Sequence, residues 1–181
     1  MAVRAGIIGF GYMGQYHMKK SRQADDIEVV AAYDISADRL AEARTEGLRT
    51  YDSLDAFLGD DTIRLVMICT PNNVHAALSI AALNSGKHVM CEKPVTMNAA
   101  ELEQVLAAAQ RNHRVFTTHQ NRRWNPDYLT VKDVVSSGII GRPTTVISRV
   151  YGQRGVCFGW RADPLAGGGM LYDWGIHLID Q

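Results

Sequence analysis

The sequence has few cysteines, no excess of either charge and no long apolar run. Its three cysteines, Cys69, Cys91 and Cys157, form no Cys-x-x-Cys pair, which gives a metal site no support and favours reduced thiols in the cytoplasm. Nineteen basic and nineteen acidic side chains balance, so no net field favours nucleic acid or an anionic membrane surface. No apolar run approaches the ~20 residues that cross a bilayer. No long apolar segment precedes a cleavage site near the N-terminus, so a secretory signal is not expected.

A glycine turn near the N-terminus is the most informative segment of the chain. The segment 3–14 reads as a short buried strand that runs into Gly-x-Gly-x-x-Gly, residues 9–14, at the start of a predicted helix. In a dinucleotide-binding unit the first glycine permits a tight turn and the second lets a pyrophosphate approach the backbone. The third lets the helix pack closely on the strand, and the helix N-terminus offers free N–H groups to the anion.

An acidic residue at the end of the next apolar run indicates which dinucleotide binds. Asp34 follows the run that ends at Tyr33, twenty positions after Gly14. A carboxylate there binds the ribose hydroxyls of NAD and repels the 2′-phosphate of NADP, so NAD is the predicted cofactor. Arg39 keeps NADP as an alternative, because a nearby guanidinium pairs well with a phosphate.

Short apolar runs alternate with helical patterns over the first 120 residues, which is typical of a parallel sheet covered by helices on both faces. Asn98 and Glu101 predict the start of the last helix of this part as a capping pair. Gly47 and Gly86 stand where helices should end. The predicted strands are residues 5–8, 28–33, a short one near 50, 65–69, 88–91 and 115–118; the predicted helices are 13–22, 37–46, 54–58, 74–85 and 99–112.

The pattern changes near residues 119–125, so we divide the chain into a dinucleotide-binding domain, residues 1–120, and a second domain, residues 121–181. Pro126 starts a predicted helix that ends at Gly138. Residues 144–151 read as a strand exposed on one face, and residues 171–180 as a helix. Because one strand cannot form a stable sheet, the second part looks cut short.

Two further loops follow strands whose carboxyl ends should lie beside the glycine turn. The first contains Thr70-Pro71-Asn72 and His75, and the second contains Glu92-Lys93-Pro94. Ligands of open α/β sheets collect outside the carboxyl ends of the strands. A lysine at this edge can polarise a carbonyl or pass a proton to an alkoxide.

These motifs occur in one order with Gly-Gly-Gly-x-x-x-Asp-x-Gly-x-His near the end of the sequence. In this the chain resembles the glucose–fructose oxidoreductase and inositol dehydrogenase family, also called Gfo/Idh/MocA, over essentially its whole length. The resemblance implies an N-terminal Rossmann domain followed by an α+β domain with an open antiparallel sheet. It also implies hydride transfer between a nicotinamide cofactor and a sugar, cyclitol or related polyol, and association into homo-oligomers.

The resemblance also assigns roles to individual residues. Lys93 resembles the catalytic lysine of the family, and Asp173 and His177 resemble the acid and histidine that face the substrate. Asp173 and His177 share one helix face at their i, i+4 spacing. The predicted cofactor-binding residues include the whole glycine turn. They are Gly9, Phe10, Gly11, Tyr12, Met13, Gly14, Asp34, Ile35, Arg39, Thr70, Pro71, Asn72, His75, Glu92, Lys93 and Asn121.

Several alternatives stay open at this point. A dinucleotide-binding fragment or sensor without turnover is the competing interpretation of the whole chain. The segment Asn121-Arg122-Arg123-Trp124 follows the last predicted strand of the Rossmann domain and is expected to border the nicotinamide or a polyol. A basic patch that binds nucleic acid is the competing interpretation, which two arginines in a neutral chain support poorly. Trp160 and Arg161 either line a sugar site or pack against other structure. His17 is interpreted as a structural or surface residue, with no partner evident in the sequence.

Overall fold

One six-stranded parallel sheet forms the centre of the first of two compact units, Met1–Thr118. The computed structural model describes residues 2–151 and 157–181. The strands are β1 Val3–Ile8, β2 Ile27–Tyr33, β3 Arg49–Thr50, β4 Leu65–Ile68, β5 His88–Cys91 and β6 Phe116–Thr118. Their order in the sheet is β3-β2-β1-β4-β5-β6, so the direction of winding reverses between β1 and β4. All neighbouring strands pair in parallel, which confirms the predicted Rossmann sheet.

Five helices connect these strands and begin and end close to the predicted residues. They are α1 Tyr12–Ser21, α2 Ala37–Thr45, α3 Leu54–Leu58, α4 His75–Asn84 and α5 Ala99–Arg111. The predicted capping pair is confirmed, because the Glu101 N–H donates to Asn98 Oδ1 at 2.9 Å and the Asn98 amide donates to the Glu101 carboxylate at 3.0 Å. Gly47 and Gly86 have φ values of 83° and 75°, the left-handed conformation that ends a helix.

The two faces of the sheet bury separate apolar clusters, as alternation along parallel strands requires. Ile8 and Ile68 pack with Phe57 on one face, and Ile7 and Met67 belong to the cluster on the other. Both clusters are closed by the helices, so the sheet is covered on both sides. The carboxyl ends of β1, β2, β4 and β5 are thereby held in fixed positions at one edge.

Asp60 organises the loop between α3 and β4. Its carboxylate accepts hydrogen bonds from the Tyr51 hydroxyl and from Thr62 N–H at 2.8 Å, and Arg49 lies 2.9 Å away. Lys87 Nζ donates to the Asp60 carbonyl at 2.7 Å. Burial alone would raise the pKa of Asp60, but the hydrogen bonds and the Arg49 cation outweigh it and lower the pKa to about 2. The carboxylate therefore stabilises the fold in its ionised form.

The second unit, His119–Gln181, is helical wherever its described residues form regular structure. Its longest helix is α6 Pro126–Ser136, and the chain closes with a π-helical turn, Leu171–Gly175, followed by α7 Ile176–Asp180. Short 3₁₀ helices are Asn121–Trp124, Gly159–Ala162 and Pro164–Ala166. Arg123 Nε holds Asp180 at 2.8 Å, and Arg122 lies 4.9 Å over the Trp174 ring. The predicted helices over 126–138 and 171–180 are thus confirmed, the second with a π turn.

The predicted strand over residues 144–151 is wrong. These residues are all exposed and form neither helix nor strand. Alternating β-branched residues report a preference for extended backbone, but a strand forms only against a partner that completes its hydrogen bonds. No described residue of the chain supplies such a partner. In the described part of the chain, no helix is long and apolar enough to cross a membrane.

Candidate functional site

The glycine turn at the end of β1 has the geometry that its three glycines predict. Gly9 has φ 90°, and a Cβ there would lie 2.9 Å from the Cys69 backbone. A Cβ on Gly14 would lie 2.3 Å from the Gly9 carbonyl oxygen and 3.1 Å from the Ile7 side chain. A Cβ on Gly11 would meet nothing within 4 Å. Two glycines therefore allow close packing within the protein, and the third faces open space.

Gly11 is the N-cap of α1, so its open side lies at the N-terminus of that helix. Glycine has no side chain that could cap the first amides of the helix. The amides of the first turn of a helix have no partners within the helix and carry its positive dipole. A backbone that an anion can approach closely, next to these amides, fits the pyrophosphate of a dinucleotide. Tyr12 is 78% exposed beside this turn, and Met13 is partly buried.

Asp34 is fixed against the glycine turn by backbone hydrogen bonds. Its Oδ2 accepts from Phe10 N–H at 2.7 Å and its Oδ1 accepts from Ser36 N–H at 2.9 Å. Each carboxylate oxygen keeps a lone pair for a further donor such as a ribose hydroxyl. The Phe10 side chain is fully buried, whereas the neighbouring Ile35 is 95% exposed at the end of β2. Phe10 therefore contributes its backbone to the site and its ring to the core.

Arg39, the residue that kept NADP as an alternative, is paired within the protein. Its guanidinium lies 2.7 Å from Glu42 Oε2, one turn further along α2. The same carboxylate oxygen accepts from Gln15 Nε2 of α1 at 2.9 Å. Neither Glu42 nor Gln15 has a signature in the sequence that marks it as part of this site.

His75 ties together the two polar loops at the ends of β4 and β5. It is fully buried, with Nδ1 2.7 Å from the Pro94 carbonyl and Nε2 3.0 Å from the Thr70 carbonyl. Burial lowers the pKa of His75, although the two carbonyls act in the opposite direction. His75 therefore shapes the site through the loops it holds. Pro71 lies in the first of these loops, directly before the buried Asn72. Thr70 Oγ1 is a buried oxygen without a hydrogen-bond partner among the described residues.

Glu92 links the lysine loop to α1, the helix that follows the glycine turn. Glu92 Oε1 lies 2.7 Å from His17 Nε2 of α1, and both side chains are less than a tenth exposed. The other Glu92 oxygen accepts from the Lys93 backbone N–H at 3.3 Å. Lys93, whose peptide bond to Pro94 is cis, is partly buried at the end of β5. His17 is buried and paired, whereas the sequence indicated no partner for it; Glu92 is 75 residues away and has no signature in the sequence.

The thiols near this edge are not activated. Burial raises the pKa of Cys91 to about 12 and raises that of Cys69 well above its usual range. Both thiols are therefore expected to stay protonated at neutral pH, which gives a thiolate nucleophile at this edge no support.

The second unit holds the remaining predicted residues, Asn121, Asp173 and His177. Asn121 is exposed at the start of its 3₁₀ helix, and His177 is buried with its ring 6.1 Å from that of Trp174. Asp173 and His177 lie four residues apart across the junction of the π turn and α7. The carboxylate of Asp173 lies 3.3 Å from Arg161 Nε.

Arg161 grips the segment of Asp173 through its backbone as well as its side chain. Its carbonyl accepts from Gly169 N–H at 2.7 Å, and the Gly169 carbonyl accepts from Asp173 N–H at 2.9 Å. A Cβ on Gly168 would lie 2.3 Å from the Arg161 carbonyl oxygen, so this glycine is needed for the close approach. The Arg161 guanidinium also stacks on Trp160 at 4.5 Å. Asp173 is thus oriented by a residue that the sequence alone left between two roles.

Comparison with known proteins places this geometry in one family. Residues 3–120 match the oxidoreductase family with an NAD-binding Rossmann fold, and residues 128–181 match the Gfo/Idh/MocA C-terminal domain. The chain is 34% identical over 156 residues to an inositol 2-dehydrogenase of Salmonella typhimurium, covering 83% of this chain and 46% of that protein. It is 31% identical over 188 residues to scyllo-inositol 2-dehydrogenase (NADP(+)) of Bacillus subtilis, covering 99% and 50%.

A solved structure is also closely similar. An NAD-binding protein from Listeria innocua is 42% identical, with a TM-score of 0.95 over 99% of this chain and 53% of that one. The chain spans about half the length of the curated relatives it matches. The sheet order, the glycine turn and both family matches agree, and the chain belongs to the Gfo/Idh/MocA family of oxidoreductases, with an NAD-binding Rossmann domain.

Proposed function

We propose that the whole protein transfers a hydride between NAD and a CH–OH group of a sugar, cyclitol or related polyol. The observation that carries this proposal is the placement of the glycine turn, Asp34 and the lysine loop at one edge of the sheet. β1 and β4 flank the point where the winding reverses, which is where open α/β sheets bind their ligands. The names of two relatives, both inositol dehydrogenases, support a cyclitol or similar polyol as substrate.

Oxidation of the CH–OH group needs a hydrogen-bond donor to the reacting oxygen and a base that takes the hydroxyl proton. Bound NAD supplies the acceptor for the hydride that leaves the carbinol carbon. In the proposed oxidation, the Lys93 ammonium donates a hydrogen bond to the substrate oxygen and stabilises the negative charge that develops there. The His177 imidazole takes the hydroxyl proton, and the oxygen becomes a carbonyl. Asp173, held by Arg161, orients the oxygen and sets the local charge.

NAD is the proposed cofactor in preference to NADP. The Asp34 carboxylate is held in place by two backbone amides and stays available to ribose hydroxyls. A 2′-phosphate placed there would face a fixed negative charge. Because one relative is named for NADP(+), the preference requires a direct test on this chain.

Titration of the purified chain with NAD and NADP, with and without a panel of polyols, tests the proposal. We expect saturable binding with NAD tighter than NADP, and reduced nicotinamide appearing by absorbance when the whole protein meets its polyol. If the whole protein binds NAD saturably but no polyol leads to reduced nicotinamide, it is a dinucleotide-binding protein without turnover. Absence of dinucleotide binding would refute the proposed function altogether.

Replacement of Asp34 isolates the cofactor preference. Asp34→Ala should narrow the gap between NAD and NADP affinities, since a lost hydrogen bond to a charged group costs about 1.5–3 kcal/mol. Asp34→Asn removes the charge but keeps only one of the two oxygens that accept from Phe10 N–H and Ser36 N–H, so it should narrow the gap as well. Equal affinities for the two cofactors in the unsubstituted chain would refute the preference.

A further inference from the structure

A network of four side chains and one backbone connects the glycine turn to the first turns of α2. Phe10 donates its N–H to Asp34, and its carbonyl accepts from Gln15 Nε2 at 3.4 Å. Gln15 Nε2 also donates to Glu42 Oε2 at 2.9 Å, and the same oxygen holds the Arg39 guanidinium at 2.7 Å. Asp34 and Arg39, the two residues that bear on cofactor choice, are therefore joined through Glu42.

The position of Glu42 follows from elements that pack on each other. Gln15 lies on α1 just after the glycine turn, and its carboxamide bridges the turn to α2. Arg39 lies in the first turn of α2, where its N–H reaches the N-cap Ser36 at 3.5 Å. One helical turn separates Arg39 from Glu42, so their side chains share a face of the helix.

We propose that Glu42 is a determinant of cofactor choice that disfavours NADP. A guanidinium beside the adenosine ribose is the group that would pair with a 2′-phosphate. Glu42 compensates the charge of Arg39 and occupies the guanidinium that would otherwise pair with that phosphate. This inference rests on the proposed function, because it concerns the cofactor bound at the same glycine turn.

The exposure of the pair makes the inference testable without loss of the fold. The Arg39 and Glu42 side chains are 43% and 48% exposed. Ion pairs of this kind contribute little to stability. Glu42→Gln keeps an oxygen that can accept from Gln15 Nε2, so it should leave unfolding almost unchanged and remove the charge that faces Arg39.

Calorimetric titration of NAD and NADP into Glu42→Gln at low ionic strength tests the inference. We expect the dissociation constant for NADP to fall by about threefold or more, while that for NAD stays the same, consistent with one exposed charge pair. The gain should shrink as salt is added. Glu46→Gln is the matched control: Glu46 follows α2 directly, is 37% exposed and pairs with Arg22 at 2.9 Å. Glu46→Gln also removes one negative charge but does not contact Arg39, so it should leave the ratio of the NAD and NADP affinities unchanged.

A double substitution identifies the route of the effect. In an Arg39→Met background, Glu42→Gln should no longer improve NADP binding. A gain that persists without Arg39, an equal gain in Glu46→Gln, or no gain in Glu42→Gln would overturn the inference. Failure of the unsubstituted chain to bind either cofactor would refute the proposed function, and with it any determinant of cofactor choice.

Discussion

The substitution Gly14→Ala tests how closely α1 packs on β1. The added Cβ would lie 2.3 Å from the carbonyl oxygen of Gly9, a backbone atom that cannot rotate away. Relief of this contact requires α1 to move by about 1 Å, and overpacking of this kind costs about 1–3 kcal/mol. Alanine recovers about 0.5–1 kcal/mol through its better helix propensity. The expected net loss of stability for Gly14→Ala is therefore about 1–2 kcal/mol.

Gly11→Ala separates binding from folding at the same turn. Its Cβ would meet nothing within 4 Å, and its φ of −75° suits any residue. The loss of stability should stay below about 1 kcal/mol, as alanine is only a poorer N-cap than glycine. The methyl group would nevertheless occupy the space that a pyrophosphate needs. We expect NAD affinity to fall by about tenfold or more, equivalent to about 1.4 kcal/mol.

Thermal unfolding and NAD titration of the two variants distinguish these effects. Gly14→Ala should lower the unfolding midpoint by about 2–4 °C per kcal/mol lost, and Gly11→Ala should leave it nearly unchanged. An unchanged midpoint for Gly14→Ala would refute the close packing of α1 on β1. Full NAD affinity in Gly11→Ala would refute the placement of the pyrophosphate.

Three further predictions concern catalysis and stability. Lys93→Ala should reduce turnover of the whole protein by about 10²–10⁴-fold with NAD affinity retained; lost binding without a separate effect on turnover would make Lys93 a cofactor ligand or a fold residue. Arg161→Gln should reduce turnover about tenfold or more by releasing Asp173. Arg123→Gln breaks another ion pair of the second unit and should leave turnover unchanged. Equal turnover rates for the two variants would contradict the role of Arg161. Asp60→Asn should lose up to about 2 kcal/mol of stability at pH 7. Because the folded pKa of Asp60 is depressed from 3.8 to about 2, that difference should vanish in denaturant titrations as pH falls through this range.

Local patterns in the sequence predicted most of the first unit. The alternation of apolar runs and helical segments located its strands and helices, because parallel strands are buried on both faces and short connections keep neighbours in order. The capping pair at Asn98 and the left-handed Gly47 and Gly86 were predictable for the same reason: their partners lie within a few residues. The spacing of the glycine turn likewise predicted the close contact at Gly14.

Contacts between distant residues could not be predicted in this way. The pairing of His17 with Glu92 joins residues on different elements, and no local pattern encodes it. One signal was present, since Gly14, His17, Met18 and Ser21 are the buried residues of α1 and repeat at helical spacing. That repeat indicates burial of His17 but not its partner. The false strand over 144–151 has the same origin, because β propensity is local and strand pairing is not.

His75 has a consequence for the two loops that flank it. A neutral imidazole carries a single proton, yet its two ring nitrogens face the carbonyls of Thr70 and Pro94 at 3.0 and 2.7 Å. Because burial lowers the pKa of His75, the ring is neutral at pH 7 and only one carbonyl receives the proton at a time. Whichever tautomer forms, one loop is hydrogen-bonded while the other faces a lone pair. The loop before α4 and the loop that carries Lys93 therefore share a single imidazole proton.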